Sequence, residues 1–249
     1  MTLPEVVSPD VWRKERIALL EEEKAFTRAR DVLSRKRREL PMVKVDTDYR
    51  FTAPDGTDVG LIDLFDGRHQ LIVSHFMFHP DWEDGCSSCT AGAEENAPGM
   101  RAHLEVRDTR QVYVSRAPIE SIERYRAKKG WTFPWYSSNG SDFNYDFHVT
   151  LDARVAPVEY NYRTPEEYEA KGEPLWLEDD DATEYPGISC FLRVDADVFH
   201  TYSLFARGVE SIGGSYYLLD LTALGRQEDW ELPQGRSDDL RTNQPDFAS

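Results

Sequence analysis

The sequence predicts an α/β domain, a central mixed sheet flanked by helices, with a long N-terminal helix in front of it and an acidic insertion within it. Three observations predict it. Apolar residues recur at helical spacing over residues 9–39, the period turns strand-like from Tyr49, and strand and helix signals then alternate as they do when a helix crosses between parallel strands. The 249 residues are 40% hydrophobic and 12% aromatic, with apolar segments along the whole length, so they suffice for one globular core with extensions. The expected division is a helical extension at 1–45, a sheet domain at 46–225 carrying an insertion at about 152–185, and a polar tail at 226–249 that frays.

The first helix is announced by Ser8-Pro9-Asp10, an N-cap hydroxyl, a proline at the first helical position and an acid in the first turn. Its apolar pairs, Val11-Trp12, Ala18-Leu19, Ala25-Phe26 and Val32-Leu33, fall every seven residues and draw a narrow stripe. Two covers fit that stripe: the protein's own domain, or a second copy across a homodimer. Strands are expected at 49–51, 59–65 and 71–78, separated by turns at Pro54-Asp55-Gly56 and Asp66-Gly67, and the last reads as a central strand covered on both faces. A helix should run from Cys86 to about Arg107 with a break at Pro98-Gly99, then a strand at 111–115 and a helix to Lys129 closed by Gly130. Further extended segments are expected at 133–137, 145–150, 188–194, 198–205 and 215–221. Residues 159–185 hold ten acids against two bases, with tyrosines and Trp176 between them, and read as an inserted loop or helical flap.

Charge narrows the partners. With 29 basic and 46 acidic residues the net charge is −17, which repels phosphate backbones and anionic lipid, so neither nucleic acid nor a membrane surface is an expected partner. No signal peptide or membrane-spanning run stands out, and three cysteines do not make a secreted disulfide framework; a reducing cytoplasm is the expected setting. No glycine-rich phosphate loop is present, and no cofactor is expected.

The chemistry centres on Cys86-Ser87-Ser88-Cys89. Two cysteines three apart at a helix start point to one side, and the first lies among unpaired backbone N–H groups that favour thiolate. Asp81, Glu83 and Asp84 just upstream oppose this. A redox-active pair, an inert pair, and half of a zinc site completed by His75 and His79 are the three readings the residues allow. Placement after a buried strand, within strand–helix–strand order, favours the first and a thioredoxin-like fold. Thr90 follows the pair where haem attachment requires histidine, and lone Cys190 reads as a core residue. Pro186, opening a later strand, is either the cis-proline that such a fold sets before its thiols or plain turn punctuation.

At this level the chain resembles the thioredoxin-like bacterial proteins known as domain of unknown function 899. The resemblance spans about residues 8–228. It is carried by His75-Phe76-Met77-Phe78 with Pro80-Asp81-Trp82 and Gly85-Cys86 to Cys89, by Val114-Ser115-Arg116-Ala117-Pro118, by Gly130-Trp131-Thr132-Phe133-Pro134-Trp135 and by Gly140-Ser141-Asp142-Phe143-Asn144-Tyr145-Asp146-Phe147. Later matches are His200-Thr201-Tyr202-Ser203, Ala206-Arg207-Gly208 and Leu219-Asp220-Leu221 with Gly225-Arg226. The sequence departs from the family at Ser87, where proline is common, and at Thr90-Ala91-Gly92, where aromatics are usual. The resemblance implies a thioredoxin- or peroxiredoxin-like fold with the cysteine pair at its active-site position, and no particular substrate.

Shared residues suggest a surround for the thiols. Arg116 either offers its guanidinium to a thiolate or anionic substrate or makes an ordinary surface ion pair, and Trp82, Trp131 and Trp135 either wall a pocket or belong to the core. The first expected function is a thiol–disulfide oxidoreductase acting on a protein disulfide or a small thiol through Cys86 as attacker and Cys89 as resolver. The second is a thiol peroxidase passing through a sulfenic acid at Cys86. A non-catalytic scaffold that binds a partner or metal is the third.

Overall fold

Ser8 lies in extended backbone and its Oγ accepts the Val11 N–H, which starts α1 (Pro9–Arg38); Arg35, Lys36, Arg37 and Arg38 crowd its last turn, where the dipole favours cations. The computed structural model describes residues 3–96, 98–178, 181–206, 208–209, 214–224 and 230–234. The chain forms two compact units, Met42–Gly214 and a second made of Met1–Pro41 with Ser215–Ser249. In the second unit α1 buries none of its residues, and Trp12, Leu19 and Phe26 are exposed. Most of the expected polar tail lies outside the described residues.

The larger unit is built on one eight-stranded sheet. Its strands are β1 (Val43–Lys44), β2 (Arg50–Thr52), β3 (Asp58–Gly60), β4 (Gln70–His75), β5 (Thr109–Ser115), β6 (Trp135–Ser137), and, after a separate two-stranded sheet of β7 (Thr150–Leu151) and β8 (Thr183–Glu184), β9 (Gly187–Val194) and β10 (Asp197–Phe205). The order across the large sheet is β1-β10-β9-β4-β5-β6-β2-β3. Central β4 runs parallel to β5 and antiparallel to β9, β5 runs parallel to β6, and β9 pairs with β10 across the turn at Asp195. Helices α2 (Ser87–Glu94) and α3 (Pro98–Glu105) make the β4–β5 crossover, and α4 (Ile119–Lys129) the β5–β6 crossover, closed by Gly130 in the left-handed conformation. This is the thioredoxin-like α/β arrangement that the order of sequence signals predicts.

Alternation along the central strands separates two cores. Leu71, Val73, Val112 and Val114 join Phe51, Leu64, Phe143 and Phe191 on one face; Tyr113 and Phe76 join Phe78, Tyr125, Phe133 and Trp135 on the other. Because β4 is covered on both sides, its C-terminal end has a fixed position, and the cysteine loop inherits it.

Three expected strands fold otherwise. Residues 61–65 form a 3₁₀ turn because the Asp63 carboxylate accepts the Gly60 N–H at 2.8 Å and caps it, while Leu61, Leu64 and Phe65 still point inward. Residues 145–150 are divided between α5 (Phe143–Asp146) and β7, with His148 in the left-handed region reversing the chain between them. Residues 214–219 are a helix, α7 (Gly214–Leu219), not a strand. The expected strand at 71–78 stops at His75. Phe76 gives its N–H to Val114 O at 2.9 Å and the chain then leaves the sheet.

The insertion has its own small core. Val149, Leu151, Tyr160, Tyr168 and Phe205 pack together, α6 (Pro165–Glu169) is capped by Thr164, and β8 returns the chain to β9 beside the end of β4.

Candidate active site

Beyond His75 the chain makes a loop that doubles back on itself. The Cys86 N–H donates to Met77 O at 3.0 Å and the Met77 N–H donates to Cys89 Sγ at 3.5 Å, so the loop's two ends are tied together at the thiols. Gly85 is required at the closure: a Cβ there would lie 2.5 Å from Phe76 Cε1 and 3.1 Å from Tyr125 Cε1. Cys86 is the N-cap of α2, and its carbonyl accepts both the N–H and the Oγ1–H of Thr90, each at 2.9 Å. Thr90 Oγ1 is in turn 2.8 Å from Tyr125 OH on α4, which fixes the helix start against its neighbour.

The two thiols interact and are shifted in opposite directions. The Cys89 S–H, against the cost of burial and with help from the backbone N–H groups of Cys89 and Ser88, brings the Cys86 thiol down to about 6. Cys89 moves the opposite way: its bond to Cys86, its burial and the Cys86 charge all hold it protonated well above the ordinary thiol range, and Glu184 adds to this. The two identical side chains are thus pushed apart, towards ionisation at Cys86 and away from it at Cys89. Both are free cysteines and both are half-buried. Cys190 is pushed up to about 11 by burial alone.

Behind the thiols stands a buried ion pair that sequence reasoning missed. Glu184 on β8 is 3% exposed, accepts Arg116 Nε at 2.6 Å and Thr150 Oγ1 at 2.8 Å, and is raised above the ordinary carboxylate range by burial, against the opposing pull of Arg116. Arg116 also donates to Tyr145 OH at 3.0 Å, and its Nη2 is buried without a partner. The guanidinium thus pairs with a buried carboxylate, not with a thiolate and not with a surface carboxylate. Glu184 had no distinguishing signal among the ten acids of its segment.

His79, 6% exposed, is the second anchor of the loop. Its Nδ1 accepts the Asp81 N–H at 3.2 Å, so Nε2 carries the hydrogen and faces Asp181 Oδ2 at 3.4 Å. His79, Asp81 and Asp181 bring ligand-type atoms within 4.8 Å of one another, the one such group among the described residues. The imidazole lone pair that a metal needs is already committed, so the donor set fits a metal poorly. The zinc set expected from His75, His79 and the cysteines is not assembled. His75 lies on the other face of the sheet, with Nε2 2.9 Å from Ser189 Oγ and its ring against Phe143 and Phe147, and burial brings it down to about 3.

The remaining expected surround separates. Trp82 is 37% exposed with its ring 6.0 Å from that of His79, within the cysteine loop. Trp135 is fully buried in the core and donates Nε1–H to Ser115 Oγ at 2.9 Å. Trp131 packs on that same core. Pro186 does precede β9 beside the end of β4, but its peptide is trans: among the described residues the cis bond is Leu232–Pro233. The carbonyl of Pro186 is held by Tyr160 OH at 3.1 Å.

Comparison with known proteins gives the following. A family model described as "Bacterial protein of unknown function (DUF899)" matches residues 1–244. No curated protein matches. Among solved structures the chain is similar to Xylella fastidiosa PrxQ (15% identity, 70% of this chain and 91% of that one, TM-score 0.43). It is also similar to peroxidoxin BcpB from Mycobacterium tuberculosis (13% identity, 70% and 94%, TM-score 0.43) and to the Xanthomonas campestris bacterioferritin comigratory protein (13% identity, 70% and 94%, TM-score 0.42).

Proposed function

Starting from the fact that the chain belongs to the DUF899 family, we propose that it is a thiol–disulfide oxidoreductase that works through Cys86 and Cys89. The observation that carries this reading is the pair of free cysteines at the start of α2, Cys86 at its N-cap position and Cys89 one turn on with its Sγ accepting the Met77 N–H, the first thiol drawn down to about 6 and the second held well above the ordinary thiol range.

The Cys86 thiolate attacks one sulfur of a substrate disulfide R–S–S–R′. The S–S bond breaks, a Cys86–S–S–R bond forms, and R′S⁻ leaves to take a proton from water. Two of the three largest causes that keep Cys89 protonated belong to the Cys86 thiolate, namely its hydrogen bond and its charge. Both vanish once Cys86 is in the mixed disulfide. Cys89 then loses its proton more readily, attacks Cys86 Sγ, expels RS⁻ and closes the Cys86–Cys89 disulfide. The substrate has gained two electrons and the pair has lost them; an external thiol reductant restores the pair by the reverse exchange.

The test is a redox titration of the protein with mass mapping of the oxidised form. Oxidation should remove two hydrogens and join Cys86 to Cys89; Cys86→Ser should abolish exchange, and Cys89→Ser should trap the mixed disulfide on Cys86. A pair that stays reduced at every accessible potential overturns the proposal. Turnover with peroxide and none with disulfides replaces it by the sulfenic acid route.

A further inference from the structure

Helix α1 carries a line of large apolar side chains that lies open. Trp12, Leu19, Phe26 and Leu33 are 48–70% exposed, and Val11 and Val32 beside them are exposed as well. Single apolar residues scattered over a surface need no explanation, but an aligned row of aromatic and aliphatic groups marks a contact face.

Period, length and charge each say what fits that face. Trp12, Leu19, Phe26 and Leu33 follow one another at steps of seven. An α-helix turns once in 3.6 residues, so a row at that spacing slips by about 20° per step and winds around the helix axis. A flat sheet loses such a row; a second helix supercoiled about the first keeps it. From Val11 to Leu33 the row is about 33 Å long at about 1.5 Å per residue. The next longest described helix, α4, has 11 residues and has buried Ile119, Ile122 and Tyr125 within its own unit. Among the described helices, another α1 is the one that matches the row in length.

Charge sets the direction. Five of the six acids of α1 lie at or before Glu23 and six of its ten bases lie beyond Lys24, so a parallel pair would set base on base along the second half. An antiparallel pair sets the basic half of each helix beside the acidic half of the other and opposes the two dipoles. With a two-fold axis between Glu22 and Glu23, Leu19 meets the partner's Phe26, Trp12 meets the partner's Leu33, and Glu15 lies beside the partner's Arg30. The ion pairs inside α1 are Arg16–Glu23 at 2.8 Å, Lys24–Glu21 at 3.6 Å and Arg35–Glu39 at 3.9 Å, which leaves Glu15 and Arg30 without a partner among the described residues. Glu22 approaches the partner's Glu23 at the axis, and Glu23 is already bound to Arg16 of its own helix.

We infer that the occupant of this face is a second copy of the chain: α1 pairs with α1 in an antiparallel homodimer about that two-fold axis. The pairing goes beyond the exchange reaction and does not depend on it.

Sedimentation equilibrium of the full-length protein between about 1 and 100 μM tests it, and should give twice the chain mass at the upper end. Leu19→Glu combined with Phe26→Glu sets carboxylates into the contact and should raise the dissociation constant at least about 100-fold; Leu19→Ala, the milder variant, should raise it about 10-fold. Both side chains are exposed in the single chain, so the Cys86 titration should stay where it is in the wild type and serves as the check that the larger unit is intact. Glu15→Arg and Arg30→Glu should each raise the dissociation constant several-fold, and the two together, which restore opposite charges across the pair, should bring it back near the wild-type value. A protein that is monomeric over the whole range, or a dimer indifferent to Leu19→Glu with Phe26→Glu and to Leu19→Ala, overturns the inference. A dimer that these changes weaken but that the double charge reversal does not restore overturns the antiparallel register.

Discussion

Replacing Cys89 by alanine removes the largest cause of the low Cys86 pKa, and the size of the effect can be worked out. At about 6, Cys86 is roughly nine-tenths thiolate at pH 7, whereas an ordinary thiol near 8.5 is a few per cent thiolate. A hydrogen bond to a charged group is worth about 1.5–3 kcal/mol, and about 1.4 kcal/mol is one pKa unit, so losing the Cys89 S–H should lift the Cys86 midpoint by about one to two units. Cys89→Ser keeps an O–H donor and should move it less. The thiolate absorbance near 240 nm, followed against pH, reads the midpoint directly, and the pH dependence of Cys86 alkylation mapped by mass reads it independently. An unmoved midpoint in Cys89→Ala, or a wild-type midpoint already in the ordinary range, would refute the assignment of attacker and partner.

Four further outcomes are expected. His75 is held neutral down to about 3 in the folded protein and titrates near 6.5 when unfolded, so the unfolded state alone binds that proton between these values. Stability should therefore fall as pH drops below about 6.5, by about 1.4 kcal/mol per unit from this group, and urea unfolding of His75→Gln compared with wild type between pH 7 and 4.5 should show the shallower slope in the variant. Arg116→Met leaves the Glu184 carboxylate buried without its cation and should cost about 3–5 kcal/mol in chemical denaturation, while Glu184→Gln in the same chain should recover part of it. Gly85→Ala forces its Cβ on the Phe76 ring and should cost about 1–3 kcal/mol, with the Cys86 titration displaced because the loop closure shifts. Cys190, pushed up to about 11, should be alkylated at pH 7 at least about 100-fold more slowly than Cys86, which timed labelling with mass mapping measures.

How much of this was legible beforehand varies from element to element. Ser8-Pro9-Asp10 marks the start of α1 and Gly130 the end of α4 because caps are satisfied by their own or adjacent residues, and local chemistry is written locally. The apolar run at 71–75 marks the central strand for the same reason, and the cysteine spacing places both sulfurs on one side of α2. Residues 214–219 misled because tyrosine and leucine serve strand and helix alike. Trp82 and Trp135 look equivalent as residues; a position one step outside the sheet or inside it makes one a surface ring and the other a core ring.

The sequence by itself determined the central strand–helix–strand order, the position of the cysteine pair at a helix start and the acidity of the loop before it, since each depends on residues a few positions apart. Only the tertiary structure decided that the Cys86 thiol is drawn down while that of Cys89 is held up, that Arg116 answers Glu184 across 68 positions, and that His75 packs against Phe143 and Phe147 away from the cysteine loop. Those outcomes turn on which groups lose their water and which charges meet in the space left, and desolvation and Coulomb energy depend on distance through the fold, not along the chain.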